Sequence, residues 1–225
     1  MSDNGPKLRA AAPLTVKSAR RVTLARTIRL TVLFADLRGY TGLAERLAPA
    51  RLVPLLDEFF GVLARATQLH GGTVFHIAGD CMMAGFGGDD SDRTGAREAL
   101  ACGHAMLQSF RVVAARWRAE LSIDVGIGVG LHLGEVAVGI IGPPGQKSTT
   151  LVGDTVNVAA RLCSRARAGE VLLSCIVAAA LDIDDAAREL YVGPIPVLHL
   201  PQYEVRGRSA PLDIWCVPAA ERAPL

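Results

Sequence analysis

Two aspartates stand where a carboxylate is costly unless a cation or hydrogen-bond donors meet it. Asp36 follows residues 29–35, an apolar and β-branched segment that predicts a buried strand, and Asp80 lies with Gly79 in the turn of a predicted β-hairpin. If the strand lies beside the hairpin, both carboxylates reach one edge of the sheet and offer the hard oxygen ligands that Mg²⁺ binds. The alternatives are a helix cap for Asp36 and a simple turn residue for Asp80.

A second candidate group lies on a helix predicted over residues 154–167, with Asp154 as its expected N-terminal cap. Asn157 and Arg161 are four residues apart and therefore share one helical face. A guanidinium held by a helix, with an amide one turn before it, can direct donors at a ribose and at a pentavalent phosphorus. Two metal ions about 3.5–4 Å apart would complete a site for in-line displacement at phosphorus. The alternative is an exposed arginine on an ordinary helix.

Hydrophobic periodicity predicts the elements that must position these groups. Helices are expected after Thr41 as a cap, from Pro49 to His70, and from Ser91 or Asp92 to about Trp117. Strands are expected at 29–35, 73–78, 81–86, 149–152, 171–174, 189–192, 203–206 and 212–217, with a second hairpin formed by 123–132 and 135–141 around Leu133-Gly134. Hairpins alternate with helices and no βαβ series is evident. This order predicts an α+β fold, with an antiparallel-rich sheet and helices packed on one face.

Three glycine-rich segments resemble known motifs but lack their defining features. Residues 142–148 have no adjacent Gly-Lys pair and include two prolines, so they do not form a phosphate loop. Residues 126–130 lie inside a predicted strand and open no helix, which excludes a dinucleotide fingerprint. Residues 87–90 resemble the diguanylate cyclase signature, but they follow the hairpin instead of forming its turn, and a loop with a helix cap is expected.

Composition and charge narrow the class of protein. The chain has 225 residues, half of them apolar, which is ample for a buried core and excludes intrinsic disorder. The longest apolar stretch, 171–181, is too short to cross a bilayer, and residues 1–13 contain no signal-peptide core. We therefore expect a basic arm or linker at 1–28, one catalytic domain at 29–217 and a tail at 218–225.

The basic residues are concentrated in the N-terminal arm, where residues 1–29 carry seven basic side chains and one acid. The arm has no aromatic residue and precedes the predicted domain, so nucleic-acid binding is not favoured. A solvated arm or a tether is expected, and contact with an anionic membrane or a partner protein is the alternative.

Five cysteines make an odd count with no CxxC pair. This pattern argues against a disulfide framework and against a zinc site made of thiolates. It predicts a reducing, cytoplasmic location with the cysteines as small buried hydrophobic residues.

Five ordered segments strongly resemble the catalytic domain of class III adenylate and guanylate cyclases, and bacterial adenylate cyclases in particular. They are FADLRGYT (34–41), FHIAGDCMMAGFG (75–87), GLHLGEVAVGIIG (130–142), LVGDTVNVAARL (151–162) and YEVRGRSAPLDIW (203–215). The similarity runs from about residue 28 to 217.

The resemblance implies a ferredoxin-like cyclase domain that converts ATP to 3′,5′-cyclic AMP and pyrophosphate. It implies a head-to-tail homodimer with active sites at the interface and two Mg²⁺ or Mn²⁺ ions per site. Asp36, Asp80 and the backbone of Leu37 would bind these ions, one activating the ribose 3′-hydroxyl and the other steadying the pyrophosphate. Asn157 and Arg161, from the other subunit, would orient the ribose and stabilise the transition state.

The resemblance also implies the phosphate contacts. The backbone of Leu37 to Thr41, with Arg38, Gly39 and Tyr40 between them, matches the loop that holds the phosphates. Arg206 aligns with a basic residue that contacts the triphosphate, and Lys147 is an additional candidate.

The chain departs from the family pattern where the base is bound. Adenylate cyclases usually have Lys at the position of His76 and Asp at that of Thr150, whereas guanylate cyclases use Glu and Cys. Thr at the second position occurs in a bacterial adenylate cyclase subgroup. A neutral imidazole can donate or accept a hydrogen bond. His76 can therefore still bind adenine, but it selects for this base less strongly than Lys does. ATP is therefore favoured, with GTP or another nucleoside triphosphate as the alternative.

The alternative to an enzyme is a catalytically silent module with the cyclase fold, which would bind nucleotide or regulate a partner. Silent members usually lose a metal-binding Asp or the Arg, and this chain has all of them. No sensing domain is evident in the sequence, so an ion, a partner protein or an upstream regulatory domain would supply the input.

Overall fold

The computed structural model describes residues 26–88, 91–183, 189–203 and 212–219. The strands are β1 (Arg26–Arg38), β2 (Thr73–Ala78), β3 (Cys81–Phe86), β4 (Gly126–Ile141), β5 (Ser148–Val152), β6 (Glu170–Ser174), β7 (Glu189–Val192), β8 (Ile195–Tyr203) and β9 (Leu212–Val217). The helices are α1 (Tyr40–Arg46), α2 (Pro49–Leu69), α3 (Asp92–Leu121), α4 (Asp154–Arg165) and α5 (Cys175–Ala180). None of these helices is both long and apolar enough to cross a membrane.

The strands form one sheet in the order β2-β3-β1-β4-β6-β9-β8-β7, and β5 pairs with β4 beside this path. Every pair is antiparallel except β4 with β6, which are parallel. The predicted α+β fold with an antiparallel-rich sheet is confirmed. The chain between β4 and β6 includes α4, so one parallel crossover was missed by the sequence analysis.

Both faces of the sheet are covered by helices, which corrects the expectation of helices on one face. Leu33 and Ala35 of β1 pack in the main core with side chains of α2 and α3. Val32 packs instead in a smaller core on the other face, with Ala159 of α4. Since adjacent strand residues point to opposite faces, complete burial of both Val32 and Leu33 requires cover on each side.

The predicted hairpin around Leu133-Gly134 is wrong, because β4 continues straight through these residues. The register of β1 on β4 is unbroken from Arg26 opposite Val138 to Arg38 opposite Gly126. Continuous pairing with such a long neighbour satisfies the backbone of β4, which leaves no reason to turn there. The chain reverses instead after Ile141 and returns as β5.

Of the three predicted helix N-caps, one is confirmed and two are wrong. Ser91 caps α3 as predicted, since its side chain accepts a hydrogen bond from the amide of Thr94 at 3.2 Å. Helix α1 begins two residues earlier than expected, at Tyr40 with Gly39 as N-cap, so Thr41 is not the cap. Helix α4 has Gly153 as N-cap, and Asp154 lies in its first turn.

The elements predicted in the C-terminal part of the chain and the boundaries predicted at both ends agree only in part with the structure. Tyr203, the first residue of the strand expected at 203–206, is the last residue of β8, whose earlier part was not predicted. Residues 204–206 lie outside the described residues. Helix α5 was not predicted. Most of the basic arm (1–25) and of the tail (220–225) also lie outside the described residues, and β1 begins before the predicted start of the domain at 29.

Candidate active site

The two aspartates singled out in the sequence meet at one end of the sheet. Asp36 lies near the end of β1, directly opposite Cys81, the first residue of β3. Asp80 precedes Cys81 in the turn between β2 and β3, and its carbonyl accepts a hydrogen bond from the amide of Leu37 at 3.1 Å. Asp36 makes no cap for α1, which removes the alternative interpretation of this residue.

The electrostatics of this pair favour a bound cation. The side chain of Asp36 is 25% exposed, and its burial raises the pKa of the carboxyl above its ordinary value. The nearby negative charge of Asp80 raises this pKa further, whereas the guanidinium of Arg38 lowers it. Burial, with help from both carboxylates, also raises the pKa of the Cys81 thiol to about 12. A divalent ion between the carboxylates would offset the cost of their ionisation.

The donor set fits Mg²⁺ or Mn²⁺ bound together with a substrate. In the described residues no cluster of three or more His, Cys, Asp or Glu side chains could hold a metal ion. Mg²⁺ is usually held by one or two carboxylates, with water and substrate phosphates completing its octahedron. Asp36 and Asp80 meet this requirement. The predicted backbone ligand at Leu37 stays a prediction.

The side chain of Arg38 is engaged inside the chain. Its guanidinium pairs with the carboxylate of Asp36, donates to the carbonyl of Ala166 through Nε at 2.9 Å, and donates to the carbonyl of Cys163. Ala166 is the C-cap of α4, and Cys163 lies in its last turn. A phosphate contact at position 38 would therefore be made by the backbone, as the resemblance implies.

The predicted phosphate loop turns sharply into α1. Gly39 has φ of 89°, and a Cβ at this position would lie 2.5 Å from the carbonyl oxygen of Asp124. Only glycine satisfies both conditions. Tyr40 packs against the main core, whereas Thr41 is exposed. The backbone path is thus fixed from both sides, and the phosphate contacts of this loop stay a prediction.

Asn157 and Arg161 lie on the side of α4 that faces away from its own sheet. The buried stripe of this helix includes Val158, Ala159 and Leu162. Asn157 is exposed and Arg161 is partly exposed, and neither side chain makes a hydrogen bond or an ion pair within the described part of the chain. Among the described residues, no hydrogen bond or ion pair therefore joins these two side chains to Asp36 or Asp80 of the same chain.

The two candidate base-pocket residues lie on strands that contact each other, β2 and β5. His76 is exposed on β2, next to a β-bulge, and Thr150 is partly exposed on β5. Side chains of Phe75 and Leu151, their chain neighbours, both lie within 3.5 Å of a Cβ built at Gly85. The fold thus brings the two strands together.

The remaining predicted site residues have weaker structural support. Lys147 is exposed in the turn that leads into β5. Arg206 lies outside the described residues. Lys147 makes no hydrogen bond or ion pair with Asp36 or Asp80 within the described part of the chain.

Sequence reasoning missed two polar contacts, one at the site and one farther along the sheet. Asp36 and Arg38 are two residues apart on a strand and so share a face, and this spacing was a usable signal for their ion pair. The buried His132 of β4 lies 2.7 Å from the hydroxyl of Ser174 on β6. That second contact depends on the parallel crossover, which the sequence pattern did not reveal.

Comparison with known proteins identifies the family of this chain. Residues 22–211 match the family of adenylate and guanylate cyclase catalytic domains. The chain belongs to this family. Its similarity to an adenylate cyclase of Anabaena cylindrica is 31% identity over 142 residues, which is 63% of this chain and 28% of the relative. The chain thus matches little more than a quarter of that relative's length.

Solved cyclase structures share the fold. The adenylyl cyclase CyaB from P. aeruginosa has a TM-score of 0.76 and 30% identity, covering 88% of this chain and 97% of that one. The guanylyl cyclase Cya2 has a TM-score of 0.72, also with 30% identity, covering 88% and 95%. Overall similarity to these two cyclases therefore does not separate the two nucleotides, and the base pocket has to be considered by itself.

Proposed function

We propose that this cyclase domain converts ATP to 3′,5′-cyclic AMP and pyrophosphate in a head-to-tail homodimer. The observation that carries the proposal is the division of the site residues within one chain. Asp36 and Asp80 meet at one end of the sheet. Asn157 and Arg161 lie on the outer face of α4, where they are available to a second copy.

Asp36 and Asp80 would hold two Mg²⁺ or Mn²⁺ ions together with the triphosphate. When bound, these ions supply Lewis-acid activation of the ribose 3′-hydroxyl and neutralise charge on the phosphates. The partial burial of Asp36 strengthens this use of the carboxylates, because poorly solvated charges interact more strongly with a cation. The backbone from Leu37 to Thr41 would hold the phosphates from the other side.

The outer face of α4 would supply the donors that a second subunit brings. Arg161 would donate to the oxygens of the α-phosphoryl group as negative charge develops there, and Asn157 would orient the ribose. Their lack of partners in the described part of one chain supports this assignment. A dimer formed by a two-fold axis would contain two equivalent sites.

ATP is proposed as the substrate, with His76 and Thr150 meeting the base. The contact between β2 and β5 supports a pocket built from both positions. The adenylate cyclase from Anabaena and the adenylyl cyclase CyaB support the adenine assignment. The equal identity to a guanylyl cyclase makes GTP the second candidate.

A product assay tests the proposal directly. The purified protein would be incubated separately with ATP, GTP, CTP and UTP, with Mg²⁺ and then with Mn²⁺, and cyclic products identified by mass. Cyclic AMP as the main product is expected. Cyclic GMP would support the second candidate, and no product from a folded dimer would favour a silent regulatory module.

Two variants connect the base to the pocket. His76→Lys installs the residue usual in adenylate cyclases and should raise the ratio of ATP to GTP turnover. His76→Glu combined with Thr150→Cys should shift this ratio toward GTP. Thr149→Cys, next to the pocket position on β5, is the matched control and should leave the ratio unchanged. An unchanged ratio in both pocket variants would exclude these positions as the base pocket.

The described cysteines are all free thiols, which supports the proposed cytoplasmic location. Cys102, Cys163 and Cys216 are buried, as predicted, whereas Cys81 and Cys175 are partly exposed.

A further inference from the structure

The guanidinium of Arg38 lies between the carboxylate of Asp36 and the C-terminal end of α4. Its three nitrogens contact three different oxygens: Nη1 meets Asp36, Nε meets the carbonyl of Ala166 at 2.9 Å, and Nη2 meets the carbonyl of Cys163. Two of these contacts connect β1 to the end of α4, since Cys163 and Ala166 follow Arg38 by 125 and 128 residues in the chain. The side chain is only 23% exposed.

The neighbouring strand leaves space for this arginine. Gly128 of β4 lies directly opposite Asp36. A Cβ at Gly128 would lie 2.6 Å from Nη2 and 2.7 Å from Nε of Arg38, and 2.8 Å from the carbonyl oxygen of Ala166. The guanidinium therefore occupies the space that any other residue at 128 would fill, so its position is determined by shape as well as by charge.

The chemistry of the contact favours arginine over lysine. The last carbonyls of a helix have no partner within the helix and carry the negative end of its dipole. A guanidinium stays protonated and presents its donors in a planar fork, so it can satisfy these carbonyls and a carboxylate at once. An ammonium group would keep the charge and lose the fork.

The same helix carries the groups assigned to the other active site. Asn157 and Arg161 lie on the outer face of α4, whereas Arg38 contacts its C-terminal end from within the fold. We propose that Arg38 is a positioning residue that couples the Asp36 metal site of one subunit to α4, and so to the donors used in the opposite site. This inference rests on the proposed function for the roles of Asp36, Asn157 and Arg161.

The proposal predicts opposite effects on metal affinity and on turnover. A divalent ion and the guanidinium share one carboxylate, so the positive charge of Arg38 weakens ion binding. Loss of that charge should tighten ion binding by about tenfold. Loss of the fork should misplace α4 and lower kcat by about 10²-fold, since small displacements of positioned groups cost that much. A variant that was simply destabilised would not bind the ion more tightly.

The test uses full-length wild-type protein, Arg38→Met and Arg38→Lys, with Mn²⁺ affinity measured by electron paramagnetic resonance without nucleotide. Arg38→Met should bind Mn²⁺ about tenfold more tightly, and Arg38→Lys should bind within about threefold of wild type because it keeps the charge. Both should lower kcat. Arg46→Met is the matched control, since Arg46 also donates to a backbone carbonyl, that of Ser122 at 3.2 Å. It should change neither quantity by more than about twofold.

Hydrogen–deuterium exchange of residues 162–167 tests the coupling itself. Mn²⁺ should raise exchange there in wild type, because the ion draws Asp36 away from Arg38. In Arg38→Met exchange should be high with or without Mn²⁺. Unchanged or weaker Mn²⁺ binding in Arg38→Met would overturn the proposal. An exchange rate of residues 162–167 that changes neither with Mn²⁺ nor with the substitution would also overturn it. If the wild-type protein makes no cyclic nucleotide, the proposed function fails, but the affinity and exchange measurements still decide the role of Arg38.

Discussion

The amide of Leu37 donates a hydrogen bond to the carbonyl of Asp80 at 3.1 Å. This bond ties the end of β1 to the turn of the β2–β3 hairpin, so the backbones that carry Asp36 and Asp80 stay close together. Two carboxylates held this close repel each other, and the raised pKa of Asp36 partly reflects that repulsion. The fold thus maintains an arrangement that a bound cation would stabilise.

Asp36→Ala or Asp80→Ala should abolish cyclase activity and leave the dimer intact. Each substitution removes one of two carboxylate ligands, and the remaining donor set no longer meets what Mg²⁺ requires. Activity would be followed by release of pyrophosphate and the dimer by light scattering. Asp57→Ala, an exposed aspartate on α2, is the matched control and should retain activity. Near-normal turnover in either site variant would remove that residue from the metal site.

Mixing Asp36→Ala with Arg161→Ala chains should restore activity. A mixed dimer combines intact aspartates from one chain with an intact α4 from the other, which rebuilds one site. Random exchange of subunits would give roughly a quarter of wild-type activity. Asp36→Ala mixed with Asp80→Ala is the control and should stay inactive, because neither chain keeps both aspartates. Absence of rescue despite demonstrated subunit exchange would contradict shared sites.

Gly128→Ala should destabilise the protein by about 1–3 kcal/mol, the usual cost of forcing extra volume into a packed site. The added Cβ would lie 2.6 Å from Nη2 of Arg38. Gly139→Ala on the same strand is the matched control, since nothing lies within 4 Å of its added Cβ. Urea unfolding of the three proteins measures the difference. Equal stability of the two variants would show that Arg38 does not fill the space above Gly128.

The Cys81 thiol should react slowly with iodoacetamide at pH 8, although it is partly exposed. With a pKa of about 12 its thiolate fraction is about 10³-fold below that of an ordinary thiol, and the rate should rise with pH until that pKa is reached. Asp36→Asn removes one of the negative charges that raise this pKa and should accelerate the reaction. Asp57→Asn is the control, and mass spectrometry of the native protein measures both rates. Equal rates in the two variants would place Cys81 away from the influence of Asp36.

Much of the fold and of the site could be predicted from local signals. Pro49 marked the start of α2, and Gly79-Asp80 marked the turn between β2 and β3. Proline fixes the backbone angle φ at its own position, and glycine allows backbone angles that other residues avoid. The apolar segment before Asp36 predicted β1, and the spacing of Asn157 and Arg161 placed both on one face of α4. Each of these signals is contained within a few consecutive residues.

The errors arose where distant parts of the chain decide the outcome. The apparent turn at Gly134 is a continuous strand because β1 pairs with β4 along its whole length. The helices cover both faces of the sheet because β4 and β6 run parallel, with α4 in the chain between them. The partners of Arg38 are the carbonyls of Cys163 and Ala166, more than a hundred residues away. Sequence alone determined where most helices, strands and turns form and which candidate site residues they carry, since these depend on residues close together in the chain. Tertiary structure decided strand order, helix faces and the contacts of Arg38, because pairing and packing energies belong to surfaces assembled from the whole chain.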